Sequence, residues 1–403
     1  MEKPFRVIIV GGGLIGLLAA HMLAKSKIDF VVLEQRDSLF PEHGAVSVYI
    51  LTPHGHPFAM VHRTDLLRCL YDTLEDGMKK YIYANKKVID VQVFHDTCKV
   101  RCADGTTECG SIIIGADGSS SRVRHQMRTY SQLEQPLLPL GANKRPFSAS
   151  FILLYGVVSV LPGMLEGTSW EAHGPGMSTS LFVGKERAWF FWYERYAFSM
   201  QEAPRKRYNK EDEARFVDKW AHVHITDSLR LQDVYEAHQS SGMTVVEEGV
   251  VQHRFGRRIV LVGDSATKVT PNLAFGFNGG VQGLVTLVNG LHGLVRRQNI
   301  TRPSTAELDA VFQTYQDQAL PLSRLLVDVS GESLWATIWD TWGAWVMDRY
   351  VNQATGADRR RYNKRFAPMI TQSLVLDFLS EHNLPRGKMA WQNHPETAID
   401  MCD

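Results

Sequence analysis

Residues 6–34 read RVIIVGGGLIGLLAAHMLAKSKIDFVVLE. Arg6–Val10 is a short β-branched run with the length and apolarity of a buried parallel strand. Gly11 to Gly16 interrupts it, LLAAHMLAKS continues as a good helix former, and IDFVVL predicts a second strand that ends at Glu34. Strand, turn, helix and strand together occupy about 30 residues, the size of one dinucleotide-binding unit. Gly11, Gly13 and Gly16 fall on the pattern GxGxxG, with Leu14 and Ile15 opening the helix. The first glycine makes the tight turn, the second lets backbone approach a pyrophosphate, and the third lets helix and strand pack closely. The phosphates then lie on N–H groups at a helix N-terminus, where the dipole favours negative charge. Glu34, followed by Gln35, stands where a carboxylate accepts hydrogen bonds from an adenosine ribose. An acid at that position disfavours a 2′-phosphate, so FAD or NAD is expected rather than NADP.

Short buried-strand patterns recur outside this unit, at SIIIG (111–115) and IVLV (259–262). Residues 88–93 and 97–102 read as a hairpin. Residues 147–198 are rich in Phe, Trp, Tyr and Val with Gly and Pro breaks, which predicts antiparallel sheet. Residues 278–297 predict a helix, and from about 304 the pattern is helical to the end. Nucleotide-type strands at both ends therefore enclose a β-rich middle. The expected class is α/β (α+β overall), with a Rossmann-like nucleotide domain built from discontinuous segments 1–145 and 246–330. A substrate-binding sheet domain, 146–245, is inserted in it, and a helical region, 331–403, follows.

The 403 residues carry a net charge of +1, with 44 % apolar and 22 % charged residues, which excludes a disordered chain and gives no basic excess for nucleic acid. Five cysteines without a CxxC pair read as reduced intracellular thiols and make a metal site unexpected. Met1 leads directly into the first strand without a secretory pattern, and no 18-residue apolar run is present. An intracellular protein, cytoplasmic or peripherally attached to a membrane, is expected.

Two further motifs follow buried strands: GADGSSSRVR (115–124) and GDSATKVTPN (263–272), the latter leading into Gly276-Phe277-Asn278. With GxGxxG these resemble the group A FAD-dependent monooxygenases, the superfamily of para-hydroxybenzoate hydroxylase. The strings look most like the fungal epoxidases of meroterpenoid and indole-diterpene prenyl chains and the related indole-alkaloid monooxygenases. The resemblance covers residues 11 to about 290. It implies a fold of the GR2 type, FAD as cofactor, and NADPH (or NADH) and O2 as cosubstrates. It also implies a C4a-hydroperoxyflavin that epoxidises a C=C bond of a hydrophobic secondary metabolite. Indole 2,3-epoxidation of a prenylated indole alkaloid to a spirooxindole, aromatic hydroxylation, and a flavin reductase or dehydrogenase without oxygen insertion stay open as alternatives.

The resemblance assigns Glu34 to the adenosine ribose and Arg63, in VHRTDLL, to the FAD diphosphate region. Asp264 goes to the ribityl chain or pyrophosphate, and Gly276 with Phe277 and Asn278 to the ring edge. Asp117 and Arg124 belong to the motif that meets FAD and the transient nicotinamide. Val48 and Pro271 complete the expected cofactor contacts. Read as residues alone, Asp264 also fits a helix cap and Arg63 a surface pair with Asp65, each as the lesser alternative.

Several positions depart from the family. Thr267 stands where its histidine is usual, Ala274-Phe275 replace a smaller Gly-Gln, and Gln282-Gly283 replace Glu-Asp. The segment from Ala45 to Arg63 is short by a few dozen residues, which is read as an omitted loop rather than a deletion. Trp189-Phe190-Phe191-Trp192-Tyr193 lacks the WxWxIP string of halogenases of the same superfamily.

Phe151, Tyr155, Trp170, Phe182, Phe190, Trp192 and Tyr193 are the aromatic candidates for an apolar substrate pocket. His173 aligns roughly with a family tyrosine used as an acid, and imidazolium can serve that role. Arg122 and Arg195 are candidates for orienting oxygen or a substrate carbonyl. Trp335, Trp339, Trp342 and Trp345, at i, i+4, i+7 and i+10, predict one helix face, suited to packing or to peripheral membrane contact. A monomer or homodimer is expected.

Overall fold

The structure is a computed structural model that describes residues 4–40, 45–48, 59–134, 146–200, 206–356, 364, 368–380 and 389–393. Its first sheet has six strands in the order Phe255–Gly256, Ile259–Leu261, Ile112–Gly115, Arg6–Val10, Asp29–Leu33 and Ile82–Tyr83. Every neighbour pair is parallel except the first. Both faces are covered, which is why the strands read as unbroken apolar runs. One face packs the helices Leu14–Lys25, Phe275–His292 and the first half of Thr305–Thr337, through Val7, Ile9, Leu23, Leu287 and Phe312. The other packs helix Arg122–Glu134 and a three-stranded meander spanning Val88–Gly110, through Ile8, Ile113, Val123 and Val100.

The second sheet also has six strands, all antiparallel, in the order Ser169–Gly174, Met177–Val183, Arg187–Met200, Ser148–Ser159, His238–Val250 and Thr267–Lys268. The expected hairpin and the antiparallel middle are both present. Phe190 and Trp192, stacked at 4.2 Å, bury one face against the helices Lys210–Trp220 and Leu231–Glu236. The other face, with Phe151, Leu153 and Tyr193, packs Leu334 of the long helix Thr305–Thr337 and Ile338 just after it.

That helix runs unbroken from Thr305 to Thr337, across the division expected at 330. The single tryptophan face is corrected, as is a helix pattern continuing to the chain end. Trp339 adopts a left-handed φ of 48°, and Thr341 caps a new short helix, Trp342–Val346, by accepting from Ala344 N at 3.1 Å. The four tryptophans consequently part: Trp335 packs edge-on to Phe151, while Trp342 is 77 % exposed. Residues 373–380 are turns and irregular chain, not helix.

Two glycines set the start of the fold. Gly11 has φ of 108°, and a Cβ there would lie 2.4 Å from Ala116 O. A Cβ on Gly16 would lie 1.9 Å from Gly11 O, so the helix rests directly on the turn. Gly16→Ala therefore forces helix and strand apart, and we expect a loss of about 1–3 kcal/mol. The midpoint of urea unfolding measures it; a midpoint equal to the parent would refute the close approach.

Candidate functional site

The glycine turn is closed by an acid. Glu34, 3 % exposed, accepts from Gly12 N at 2.7 Å through Oε2 and from Arg36 N and Nε at 2.9 and 2.8 Å through Oε1. Burial disfavours its charge, but the Arg36 side chain and backbone, together with Gly12, outweigh burial and hold the carboxyl below its ordinary value. Gln35 beside it is exposed.

The second motif is tied to the third. Asp117 accepts from Ser121 Oγ at 2.5 Å and from Arg122 N and Val123 N at 2.7 and 3.1 Å, so its carboxylate caps the helix Arg122–Glu134. Burial raises its pKa despite these donors. Arg124 donates to Ser265 O at 2.8 Å and to Ser119 O, and lies 5.0 Å over the Phe147 ring. It braces one motif loop against the other. Ser265 Oγ adds a bond to Gly115 O at 2.6 Å.

In the third motif, Asp264 pairs with Lys268 Nζ at 2.5 Å. Burial works against the lysine charge, and the Asp264 carboxylate more than compensates, keeping its pKa above the usual value. Arg63 begins the helix Arg63–Asp72, and its guanidinium lies 3.6 Å from where a Cβ on Gly13 would stand. It makes no hydrogen bond or ion pair with any described residue.

These loops converge on one cavity of about 300 Å³. Gly13, Leu14, Ile15 and Arg63 form one wall, Ala116 and Gly118 a second, and Asp264, Lys268, Pro271, Asn272, Gly276 and Phe277 a third. Ser180, Phe182, Phe191 and Tyr193 of the antiparallel sheet complete it. Ala274, at φ 54°, turns the chain into the helix Phe275–His292, whose N-terminus faces this space.

Not every expected residue reaches the cavity wall. Gly11 and Gly16 shape the turn from behind, and Asp117 and Arg124 serve the loops as described. Asn278 donates to Ala274 O at 2.9 Å and lies on the far side of the helix start. The side chain of Val48 lies outside the described residues, although its strand, Ala45–Val48, pairs with Ala59–His62.

Arg122 is exposed. Arg195 forms an ion pair with Asp340. His173 shares the cavity-side face of the sheet, since it pairs across to Ser178 and then to Tyr193, but it sits on the outermost strand. There its Nδ1 is 2.9 Å from Asp348 Oδ2, which also accepts from Trp339 Nε1 at 2.8 Å. Burial lowers the imidazole pKa, but Asp348 and Glu171 reverse this and push it up to about 9.

Strand alternation divides the aromatic candidates. Phe182 and Tyr193 line the cavity, and Phe151 and Tyr155 share their face. Phe190, Trp192 and Trp170 pack on the opposite side. Phe191, Ser180 and Lys268 line the cavity although sequence reading gave them no role. The two-residue period from Tyr193 finds Phe191, while nothing in the sequence singles out Ser180. Among the described residues no His, Cys, Asp or Glu group could hold a metal ion, and no helix is long and apolar enough to cross a membrane.

The chain matches the family model for the FAD binding domain over residues 53–330 and that for an NAD(P)-binding Rossmann-like domain over residues 9–48. It is 28 % identical to the FAD-dependent monooxygenase BOA8 of Botryotinia fuckeliana over 89 % of this chain and 48 % of that protein, so it spans about half of that relative. It is 28 % identical to the FAD-dependent monooxygenase dpchE of Colletotrichum higginsianum over 98 % of this chain and 93 % of that one. That second alignment has 448 positions against the 403 residues of this chain, so the relative carries residues this chain lacks. HpxO of Klebsiella pneumoniae, solved with FAD and uric acid, has the same fold, with a TM-score of 0.65, 18 % identity, and coverage of 91 % of this chain and 94 % of that one.

The His173–Asp348 pair gives a pH signature. A pKa raised in the folded state contributes stability that is fully present below the unfolded value near 6.5 and is lost as pH rises through about 9. Thermal melts from about pH 6.5 to about pH 9.5 should show a falling midpoint that flattens in His173→Phe. Equal slopes in the two proteins would contradict the pairing.

Proposed function

We propose, for a chain that belongs to the FAD binding domain family and is an FAD-dependent monooxygenase, that its reaction is epoxidation of a C=C bond in a hydrophobic secondary metabolite. A prenyl chain on a meroterpenoid or indole diterpene is the substrate class we favour. The observation that carries this is the composition of the cavity. Its one side is a phosphate-type turn with cations, and its other side is an aromatic sheet face.

The residues present suit FAD. Arg63 brings a positive charge, without a hydrogen-bonded partner among the described residues, to the mouth of a glycine turn whose N–H groups open a helix. That combination fits a diphosphate. Glu34 has acceptor capacity left for ribose hydroxyls, and the Gly276–Phe277 helix start would face the ring. When bound, FAD supplies the redox chemistry, taking electrons from NADPH or NADH and activating O2.

The chain's own contribution is placement, dryness and a proton. Phe182 and Phe191 exclude water and offer an apolar bed for an alkene. Tyr193 is 1 % exposed, borders the cavity and has no hydrogen-bond partner among the described residues. Burial raises its pKa, so the phenol stays protonated and can donate to the oxygen being transferred. We assign it the donor role first expected of His173, which Asp348 holds at the sheet edge.

Glu34→Ala and Arg63→Met should purify with less than half the FAD of the parent, because each removes a charged partner typically contributing about 1.5–3 kcal/mol. Full flavin content in both, read from the visible spectrum after desalting, would refute the cofactor contacts.

Labelled O2 supplied with a prenylated acceptor should place one labelled atom in the product. Unlabelled product would favour the reductase or dehydrogenase alternative. Tyr193→Phe should keep FAD reduction by the nicotinamide while releasing peroxide in place of product, a loss of about 10²–10⁴ in coupled turnover. Full coupling in this variant would remove Tyr193 from the reaction.

A further inference from the structure

Arg254 is a buried cation without a carboxylate. The residue is 2 % exposed, and its Nη2 donates to Thr267 Oγ1 at 2.8 Å while Nε reaches Val251 O at 3.4 Å. No acidic side chain among the described residues pairs with it. Thr267 passes its own proton to Ser323 Oγ at 2.9 Å, on the long helix, so the arginine is held in place from two elements. Isolated buried charge is costly, and a fold that keeps one usually sets it against a group that becomes negative.

The surroundings say where that group would be. Arg254 lines a void of about 20 Å³ whose walls include Gly263, Thr267, Gly276, Gly279 and Gly280. Val269 and Gly276 belong both to this void and to the wall of the 300 Å³ cavity. The guanidinium therefore stands one layer of residues behind the N-terminus of the helix Phe275–His292. Helix dipole and side chain present the same sign to the cavity. Gly276, Gly279 and Gly280 contribute no side chain to this layer, which Val269 and Phe275 share with them.

We propose that Arg254 is a positioning residue for charge, raising the two-electron midpoint potential of FAD bound in the cavity. This rests on the FAD reading above. Oxidised FAD has a neutral ring. Two electrons and one proton from the nicotinamide leave the ring with a net negative charge, which a fixed cation stabilises over the neutral form. Thr267, where the family usually has histidine, is the group that aims the arginine.

The test is anaerobic reduction of the FAD-loaded protein against a reference dye, together with titration by sulfite, which adds to the oxidised ring and leaves it anionic. Arg254→Gln should lower the midpoint potential and weaken sulfite binding at least tenfold, while Arg254→Lys retains most of both. Ser323→Asp sets a carboxylate beside Thr267 and neutralises the arginine without removing it, and it should move both readings the same way. Loss of stability alone would move neither. An FAD-loaded Arg254→Gln protein with unchanged potential and sulfite affinity overturns the proposal. If that variant does not fold, unchanged values in Ser323→Asp overturn it. A parent protein that takes up no FAD overturns both this proposal and the reading it rests on.

Discussion

The contact on which the site depends is the approach of one helix to one turn. Gly16 leaves no room for a Cβ against Gly11 O, and Gly11 leaves none against Ala116. The first helix is thereby fixed on the first strand, and the second motif loop is fixed on the first. Glu34 then pins the turn from the neighbouring strand through Gly12 N. Three strands of the parallel sheet meet at these few atoms. Arg124 and Ser265 extend the same constraint to a fourth, Ile259–Leu261, by tying the two later loops together. Packing density explains why this holds: close-packed interiors transmit a small displacement rather than absorb it.

The nucleotide half of the fold was legible because its signals are local. Apolar runs mark strands buried on both faces, and glycines mark positions where backbone needs the space. Glu34 could be placed by counting from Gly16. The other half was less legible for a physical reason. In the antiparallel sheet both faces are apolar, one against helices and one against the cavity, so hydrophobicity does not say which aromatics line the site. Period-two alternation says that Phe191 and Tyr193 go together and Phe190 and Trp192 go together, but not which pair faces inward. His173 could not be placed from sequence because its position follows from Asp348, 175 residues on. The break at Trp339 was hidden likewise, since a tryptophan gives no local sign of a left-handed backbone.

The charges of the three motifs divide by duty. Asp117 caps a helix, Arg124 joins two loops, and Asp264 is held by Lys268; each is committed to the protein. Arg63 is not, and Arg254 has only neutral acceptors. At the cavity, Arg63 in the wall and Arg254 behind it are two cations without a carboxylate hydrogen-bond partner among the described residues. Committed pairs set shape, and uncommitted cations set the sign of what the shape accepts. This division also explains how Thr267 can replace a histidine. The position is used to hold a neighbouring cation rather than to present a charge of its own.

The substrate side of the cavity answers to a different part of the chain. Phe191 and Tyr193 are backed by Leu334, Trp335 and Ile338. The edge strand is tied down by His173 to Asp348, and its neighbour two strands in by Arg195 to Asp340. The partners Leu334, Trp335, Ile338, Asp340 and Asp348 all follow residue 330, where the match to the FAD binding domain ends. The matched segment supplies the glycine turn's partners and the sheet itself, while residues after it back one face of the aromatic wall. Two chains can share every glycine and acid of the three motifs and still differ in the aromatic wall they present. Discrimination among hydrophobic substrates depends on pocket shape, worth about 1–3 kcal/mol per methylene, and that shape is set here by the C-terminal helix.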